Sequence, residues 1–215
     1  MAIKMGMIDG DRQFDPARPV VAFDFDGTLT IRDSFMAYLA FRSPPAAYAL
    51  GLLRLAPASV AYVFTRDRGA LKAAAVKVFL KGLPAEDLHR SAEAFASKWV
   101  TRLLRPDAAQ AWLEWKTRGA VMVIVTASPE PIVAPFAERL GADVLIGTQL
   151  ALDEAGRITG AFSTQNCRGQ AKVDRLKARF GPDLHLEAAY GDTSGDTEMI
   201  AMAEHQGYRV FKRKP

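Results

Sequence analysis

The sequence of 215 residues has few of the residues and motifs on which several common functions depend. Its single cysteine, Cys167, cannot form an internal disulfide, and nothing in the sequence suggests an oxidising compartment. The three histidines are scattered without the spacing of zinc ligands, and neither a Walker A motif nor a GxGxxG motif is present. These absences argue against a zinc site, nucleoside triphosphate binding and dinucleotide binding, and a cytoplasmic setting fits best.

The sequence also lacks an uninterrupted apolar run of membrane-spanning length. Its most apolar stretch, residues 46–64, has Arg54 and Pro57 near the middle. A charge at the bilayer centre costs about 2.5–3.5 kcal/mol, so we expect no membrane span there. Residues 1–19 carry several charges and no apolar core, which predicts a loose leader rather than a signal or transit peptide.

The composition is that of a globular protein, with 49% hydrophobic and 24% charged residues. The balance of 28 Lys and Arg against 24 Asp and Glu gives a net charge of +4, which favours anionic partners. Nucleic acid is not implied by this charge. The three tryptophans, Trp99, Trp112 and Trp115, are expected to pack in the interior rather than stack on bases.

Short β-rich apolar runs alternate with helical segments along most of the chain. This alternation is typical of an α/β fold with a parallel sheet. Strands are predicted at 20–26, 121–126, 143–146, 186–190 and 208–211, helices at 131–140 and 170–180, and a β-hairpin at 150–163. Residues 34–105 interrupt the alternation with three or four helices, broken at 44–45, Pro57, Gly69 and 82–84. These helices either form a separate lobe or cover the sheet, and their length does not decide between the two.

Polar residues follow the predicted strands, at the edge where open α/β sheets bind ligands. They are Asp24, Asp26 and Thr28 after the first strand, Thr126 and Ser128 after the second, and Asp192 and Asp196 after the fourth, with Lys172 in the helix before the fourth. Unpaired carboxylates are costly to bury, so this edge needs positive charge. A divalent cation and a lysine would supply it.

Residues 24–30, DFDGTLT, resemble motif I of the haloacid dehalogenase superfamily of phosphatases. The other motifs of that family follow in order, at Thr126, Lys172 and residues 191–196, GDTSGD. The helical insertion after motif I is similar to the cap of the phosphoserine phosphatase-like branch, subfamily IB. Within that branch, residues 126–130, 166–169 and 190–192 look like phosphatidylglycerophosphatase C-like members. The resemblance implies a Rossmann-like core of residues 1–33 and 106–215 with a C1-type helical cap at 34–105.

The resemblance also implies a magnesium-dependent phosphomonoester hydrolase that forms an aspartyl-phosphate. Asp24 is expected to be the nucleophile, and Asp26 the general acid and then the general base. Lys172 offsets the negative charge, and the Thr126 hydroxyl and the Ala127 amide hold the phosphoryl oxygens. The predicted catalytic residues are Asp24, Asp26 and Lys172, and the predicted substrate-binding residues are Thr28, Asp33, Thr126 and Ala127. The Mg²⁺ ligands that the resemblance implies are Asp24, the backbone carbonyl of Asp26, and Asp192, with Asp196 in support.

Two other classes of protein with similar motifs need residues that this chain lacks. An EF-hand loop starting at Asp24 would need glutamate where Phe35 stands, and a cysteine phosphatase would need arginine at Val173. Each motif residue taken alone is more often structural than functional. A regulatory protein that binds phosphate without turnover is the alternative from a different class, although it has no chemical need for both Asp24 and Asp26.

The substrate depends on the insertion. Phosphoserine phosphatases bind the amino acid with a glutamate nine residues after the nucleophile, where this chain has Asp33, and with a cap arginine. Alignment places Val76, which carries no charge, at the position of that arginine, and Lys77 is one residue away. This departure argues against phosphoserine, so phosphoserine or another small metabolite is the alternative substrate and not the first choice. Residues 46–64 are apolar and accompanied by Arg42, Arg54, Arg66, Arg68, Lys72, Lys77 and Lys81. They either pack the cap onto itself or contact an anionic membrane peripherally. This pattern favours a lipid-linked phosphomonoester such as phosphatidylglycerophosphate.

Overall fold

The computed structural model describes residues 13–215, so most of the predicted leader at 1–19 lies outside the described residues. A parallel sheet in the order β3-β2-β1-β6-β7 forms the centre, and β4 and β5 form a separate antiparallel hairpin. The strands are β1 (Val20–Phe23), β2 (Val121–Pro129), β3 (Val144–Thr148), β4 (Leu150–Leu152), β5 (Ile158–Phe162), β6 (Leu186–Gly191) and β7 (Ala203–Tyr208). The helices are α1 (Ser34–Arg42), α2 (Pro45–Thr65), α3 (Arg68–Phe79), α4 (Ala85–Leu103), α5 (Pro106–Thr117), α6 (Glu130–Leu140), α7 (Gln170–Phe180) and α8 (Thr197–Ala201). The predicted α/β class is confirmed.

The central sheet is covered by apolar side chains on both faces. Alternate residues of β2 point to opposite sides, so Met122 and Ile124 join one hydrophobic cluster, and Val123 and Val125 join the other. Helices α4, α5 and α6 contribute to the first cluster, and α7 and α8 to the second. Because both faces are covered, the inner strands β1 and β2 begin with continuous apolar runs, and the polar side chains follow where these runs end.

The last strand was predicted in the wrong place. The expectation was 208–211, but β7 is Ala203–Tyr208 and pairs in parallel with β6. Its sequence, AEHQGY, is largely polar because it forms an edge of the sheet, and only Ala203 and Gly207 are buried. The predicted hairpin within 150–163 is confirmed by β4 and β5.

Five helices, α1–α5, lie between β1 and β2 in the chain, and the first four of them fall within residues 34–105. Pro57 does not break them, because it lies inside α2, where the loss of one backbone donor is tolerated among strong helix formers. Gly69 lies in the first turn of α3 rather than at a break. Phe95 of α4 packs against Phe136 of α6, so the hydrophobic core continues from the sheet into the insertion. The division into a core and a cap at 34–105 stays a prediction.

Helix α2 stands out among the described residues. Despite Arg54 and Pro57, its 21 residues are long and apolar enough to cross a membrane by length and composition alone. Its most apolar window has a mean hydropathy of 1.4, yet only 11% of that window is buried within the protein. A helix with this composition in a protein core would be mostly buried, so α2 differs from the other apolar elements of the fold.

Candidate active site

The polar residues singled out in the sequence meet where β1, β2 and β6 end. After β1 the chain enters a π-helical turn, Phe25–Leu29, in which Gly27 has a φ of +90°. A side chain at Gly27 would overlap the Asp192 carboxylate, so glycine is required here by both its backbone conformation and the lack of space. The turn thereby brings the Asp24 side of the site next to the loop that follows β6.

Three carboxylates form the centre of the site. One oxygen from each of Asp24, Asp192 and Asp196 lies within 4.8 Å of the others. Asp24 and Asp196 are buried, and Asp192 is partly exposed. Hard oxygen ligands grouped in this way suit Mg²⁺, which prefers carboxylates and retains several waters. Asp26 is not a member of this group; the role predicted for it in metal binding used only its backbone carbonyl.

Lys172 of α7 is almost fully buried and completes the charge pattern. Its Nζ donates to Asp24 Oδ1 at 2.6 Å and to the Val125 carbonyl at 2.6 Å, and it lies 2.7 Å from Asp196 Oδ1. Asp196 Oδ2 also accepts from the backbone and the hydroxyl of Thr193, each at 2.9 Å. Lys172 therefore connects the end of β1 to the loop after β6.

The protonation properties of this cluster follow from its burial. Burial raises the pKa of Asp24 to about 7, because the Lys172 ammonium offsets only part of the cost of an enclosed charge and Asp196 adds to it. Burial opposes the charge of Lys172, but the adjacent Asp24 and Asp196 outweigh it and hold its pKa above the ordinary value. Lys172 is therefore cationic, and its single positive charge is smaller than the combined negative charge of the carboxylates around it.

Asp26 faces a different set of partners. Its Oδ1 accepts from the Ser34 amide at 2.7 Å, and its Oδ2 accepts from the Ser128 hydroxyl and, at 3.4 Å, from Lys72 Nζ. Burial alone would raise the pKa of Asp26, but Lys72 and the hydrogen bonds from Ser128 and Ser34 lower it below its usual range. Asp26 is therefore held as an oriented carboxylate.

Lys72 was not predicted as a site residue. It lies on α3, and its Nζ is 2.8 Å from Ser128 Oγ and 3.3 Å from Asp33 Oδ2. The alignment placed Val76 at the position of the cap arginine, with Lys77 one residue away; Val76 is fully buried in the core and Lys77 is exposed, so the cation that α3 brings to the site is Lys72 instead. Lys72 occurs five residues before Lys77 in a helix rich in lysine and alanine, so spacing alone did not distinguish it.

Asp33 has two roles in the structure. It caps α1, with Oδ1 accepting from the Met36 amide at 2.9 Å, and its other oxygen faces Lys72. Ala127 also lines the site cavity. The predicted substrate-binding residues Asp33 and Ala127 therefore border the space where a ligand could bind.

Thr28 and Thr126 lie behind that space. The Thr28 hydroxyl donates to Asp24 Oδ2 at 3.2 Å, and the Thr126 hydroxyl accepts from the Ser128 amide at 3.1 Å. Both residues are buried, and neither lines the cavity. In this arrangement they position Asp24 and the end of β2, and the contacts predicted for them with substrate stay predictions.

The cavity measures about 310 Å³ and is lined mainly by charged residues. Besides the carboxylates it contains six cations: Arg32, Arg68, Lys72, Arg105, Arg168 and Lys172. The Arg105 Nε donates to the Gly27 carbonyl at 3.1 Å, which attaches the start of α5 to the turn. A cavity with this many cations suits an anionic ligand.

The buried cysteine is separate from this chemistry. Cys167 is fully buried, its amide donates to Thr148 Oγ1 at 3.0 Å, and burial raises the pKa of its thiol. A thiol with a raised pKa is a poor nucleophile at neutral pH. This agrees with the spacing argument against a cysteine phosphatase.

A family model for haloacid dehalogenase-like hydrolases matches residues 21–201, which include all of the site. The chain belongs to this family. Protein CicA of Caulobacter vibrioides is 58% identical over 196 residues, which span 91% of this chain and 88% of that protein. The resemblance seen in the four motifs is thereby confirmed at the level of the family.

Solved structures share the fold. A protein of unknown function from Bordetella pertussis has a TM-score of 0.72 and 22% identity, with 86% of each chain covered. A phosphoserine phosphatase, solved as an analogue of its phospho-aspartyl intermediate, has a TM-score of 0.60 and 22% identity, covering 86% of this chain and 83% of that one. These similarities confirm the Rossmann-like core.

Proposed function

We propose that this protein is a magnesium-dependent phosphomonoester hydrolase that acts through an aspartyl-phosphate on Asp24. The observation that carries the proposal is the buried contact of Asp24 with Lys172 beside Asp192 and Asp196, at the sheet edge where α/β folds bind ligands. A fold shared with a phosphoserine phosphatase supports the same reaction class.

Phosphoryl transfer would begin with attack by an Asp24 carboxylate oxygen on phosphorus. The new bond is between that oxygen and phosphorus, and the bond that breaks joins phosphorus to the leaving alcohol oxygen, which takes up one proton. Lys172 neutralises Asp24 and the transferring group, while the hydrogen bond from Thr28 orients the carboxylate. Burial of this contact strengthens it by excluding water.

Asp26 would supply the proton to the leaving alcohol and later accept a proton from the attacking water. Its contacts with Lys72, Ser128 and the Ser34 amide hold it as a carboxylate, which is the form needed for the second step. In the first step the substrate must bring the proton to Asp26, or the leaving group must depart without one. Asp26 is therefore expected to matter most for intermediate hydrolysis and for poor leaving groups.

The residues present fit a magnesium ion. Asp24, Asp192 and Asp196 bring three carboxylates together, and Lys172 supplies a single positive charge among them. Asp24 and Asp192 would hold the ion, together with the Asp26 carbonyl, and Asp196 would support them through Lys172 and the Thr193 loop. When bound, Mg²⁺ would screen the negative charge of the phosphate from that of the nucleophile.

The experiment that tests this reaction uses Asp26→Asn with p-nitrophenyl phosphate, whose leaving group needs no proton. The phosphoenzyme should form at nearly the wild-type rate and accumulate, giving a burst of p-nitrophenolate. After an acid quench, mass spectrometry should place a hydroxylamine-sensitive phosphoryl group on Asp24. The double variant with Asp24→Asn should show neither burst nor adduct. A fully active enzyme with no trapped adduct under any quench condition would contradict the covalent route.

For the substrate, we propose a lipid-linked phosphomonoester such as phosphatidylglycerophosphate. Two features support it: the many cations around the cavity, and the apolar helix α2 beside it. Arg68 lines the cavity, and its Nε donates to the Tyr62 hydroxyl of α2 at 3.4 Å, so the end of α2 lies near the cavity. A phosphorylated lipid headgroup could then reach the carboxylates while its acyl chains stay outside.

Turnover of a substrate panel in mixed micelles would decide this assignment. Phosphatidylglycerophosphate should be hydrolysed with a higher kcat/KM than phosphoserine or sugar phosphates. A preference for phosphoserine would instead support the small-metabolite alternative, in which Asp33 and Lys72 bind the amino acid. If no phosphomonoester were turned over while inorganic phosphate still bound, the protein would be a phosphate-binding regulator.

A further inference from the structure

The outward face of α2 is an exposed apolar stripe. Its residues recur at intervals of three or four and therefore lie on one side of the helix. Phe64 is 82% exposed and Leu53 is 70% exposed, values far outside the normal range for side chains that stabilise a core. The stripe consists of Ala46, Leu50, Leu53, Pro57, Val60 and Phe64, all of them exposed.

The opposite face of α2 is fixed to the protein. Gly51 is buried against the Phe79 ring of α3, where a larger side chain would overlap it. The Tyr48 ring lies 5.8 Å from the Phe79 ring, and Leu55 is buried in the core. These contacts fix the rotation of α2 about its axis, and they leave the apolar stripe on the side that faces away from the protein.

The charge around the stripe has one sign. Residues 34–66 contain no Asp or Glu, whereas Arg42, Arg54 and Arg66 all lie within them. Arg54 and Arg66 are exposed, at the middle and the end of α2. Lys72, which we expected to contribute to the same basic surface, is instead held in the site by Asp26 and Asp33. The remaining arginines are positioned to attract anionic headgroups.

We propose that the apolar stripe of α2 docks on an anionic lipid bilayer, with the helix lying along the interface. A helix with one apolar face and flanking cations binds at the boundary between headgroups and acyl chains. Crossing the bilayer would require α2 to leave Phe79 and bury Arg54 in hydrocarbon, so the interfacial position fits the observed packing better. The surface commits to lipid because its apolar residues share a segment, 34–66, whose only charged side chains are arginines.

Docking would also place the site close to the membrane. The Arg68 side chain connects Tyr62, which lies outside the stripe near the end of α2, to the cavity, so this end of the helix lies near the site. A phosphorylated headgroup would need to move only a short way from the bilayer surface to reach the cavity. Binding of the stripe to lipid does not depend on whether the site hydrolyses phosphate.

The test compares wild type with Leu53→Gln/Val60→Gln/Phe64→Gln in cosedimentation with vesicles. Wild type should bind vesicles of phosphatidylglycerol and phosphatidylcholine at low salt, bind pure phosphatidylcholine weakly, and dissociate as salt increases. The triple variant should lose at least about tenfold in partition coefficient, because each substitution removes an inserted apolar side chain. The matched control is Leu113→Gln on α5, a leucine that is 62% exposed and distant in sequence, and it should bind as wild type does.

Several results would overturn the proposal. They are failure of wild type to bind anionic vesicles at low salt, equal binding by the triple variant, or membrane association that resists alkaline carbonate. Light scattering without lipid provides a further check: a dimer abolished by the triple variant would assign the stripe to a second copy of the chain. Unchanged melting temperature and unchanged p-nitrophenyl phosphate turnover in the triple variant separate a docking defect from a folding or site defect.

Discussion

Two lysines, one buried and one partly buried, illustrate how the sheet edge differs from the helical insertion. Lys172, from α7 of the core, contacts Asp24 and Asp196, whereas Lys72, from α3 of the insertion, contacts Asp26 and Asp33. Each lysine neutralises one side of the same site. The first occurs within a family motif, and the second in a helix with no motif at all. The functional residues at the sheet edge can therefore be predicted from the sequence, whereas those that the insertion supplies cannot.

The contrast has a physical origin. At the sheet edge, parallel strands all end on one side, so residues that follow different strands must lie close together. In the insertion, the position of a side chain depends on how four helices pack, and many packings satisfy the same periodicity. Substitutions at the sheet edge should therefore abolish turnover, and substitutions in the insertion should reduce the rate of the same reaction by smaller factors.

The largest effect is expected at the sheet edge, for Asp24→Asn. Turnover of p-nitrophenyl phosphate should fall to less than about 1% of wild type, because the amide cannot act as the nucleophile. Folding should survive, since the amide oxygen can still accept from Lys172 while the amide nitrogen donates to the Thr28 hydroxyl. The measurement is steady-state kinetics together with thermal melting. Asp174→Asn, an exposed position of α7, is the matched control and should retain full activity.

Removal of magnesium should have a comparable effect. Chelation with EDTA is expected to abolish turnover, and added Mg²⁺ should restore it, because Asp24 and Asp192 would otherwise repel the anionic substrate. Ca²⁺ should restore it poorly, since it takes more ligands at longer distances and could chelate both oxygens of Asp24. Full activity in excess chelator, with metal content verified, would contradict this account of the site.

Sequence patterns predicted much of the core correctly. The positions of β1, β2, β3 and β6, the helix at Gln170–Phe180 and the hairpin followed from alternation of apolar runs and turns, because these depend on local periodicity, although β1 ends at Phe23 rather than at 26 and β2 continues to Pro129. The strand β7 was misplaced because an edge strand needs no apolar alternation. Pro57 was expected to end a helix, but α2 continues through it and packs on α3, where Tyr48 and Gly51 meet Phe79. Tertiary contacts determine where β7 lies and how α2 packs, and the local sequence pattern does not encode these contacts.

The site was predicted unevenly for the same reason. Asp24, Asp192, Asp196 and Lys172 were placed together by their positions after strands or at a helix start, and the structure brings them together. The role of Lys72 depends on the direction in which α3 enters the site, which its sequence does not encode locally. Ser128 was noted as a polar residue after β2, but its contact with Asp26 and Lys72 becomes evident only in three dimensions.

The smallest effect is expected in the insertion, for Lys72→Met. This substitution removes the ammonium group that holds the pKa of Asp26 low, so that pKa should increase. Since Asp26 must be ionised to accept a proton from water, the acidic limb of the kcat/KM profile should move to higher pH. Activity near neutral pH should fall by about tenfold, the size expected for loss of one charge-assisted contact.

The matched control for this change is Lys77→Met, because Lys77 lies on the same helix and is exposed. It removes the same charge from α3 without touching Asp26, so its pH profile should match that of wild type. Lys72→Arg should keep most of the profile, since it preserves the cation. If Lys72→Met lowered activity without moving the acidic limb, Lys72 would act on substrate binding rather than through Asp26. The insertion would then determine specificity and leave proton transfer entirely to the sheet edge.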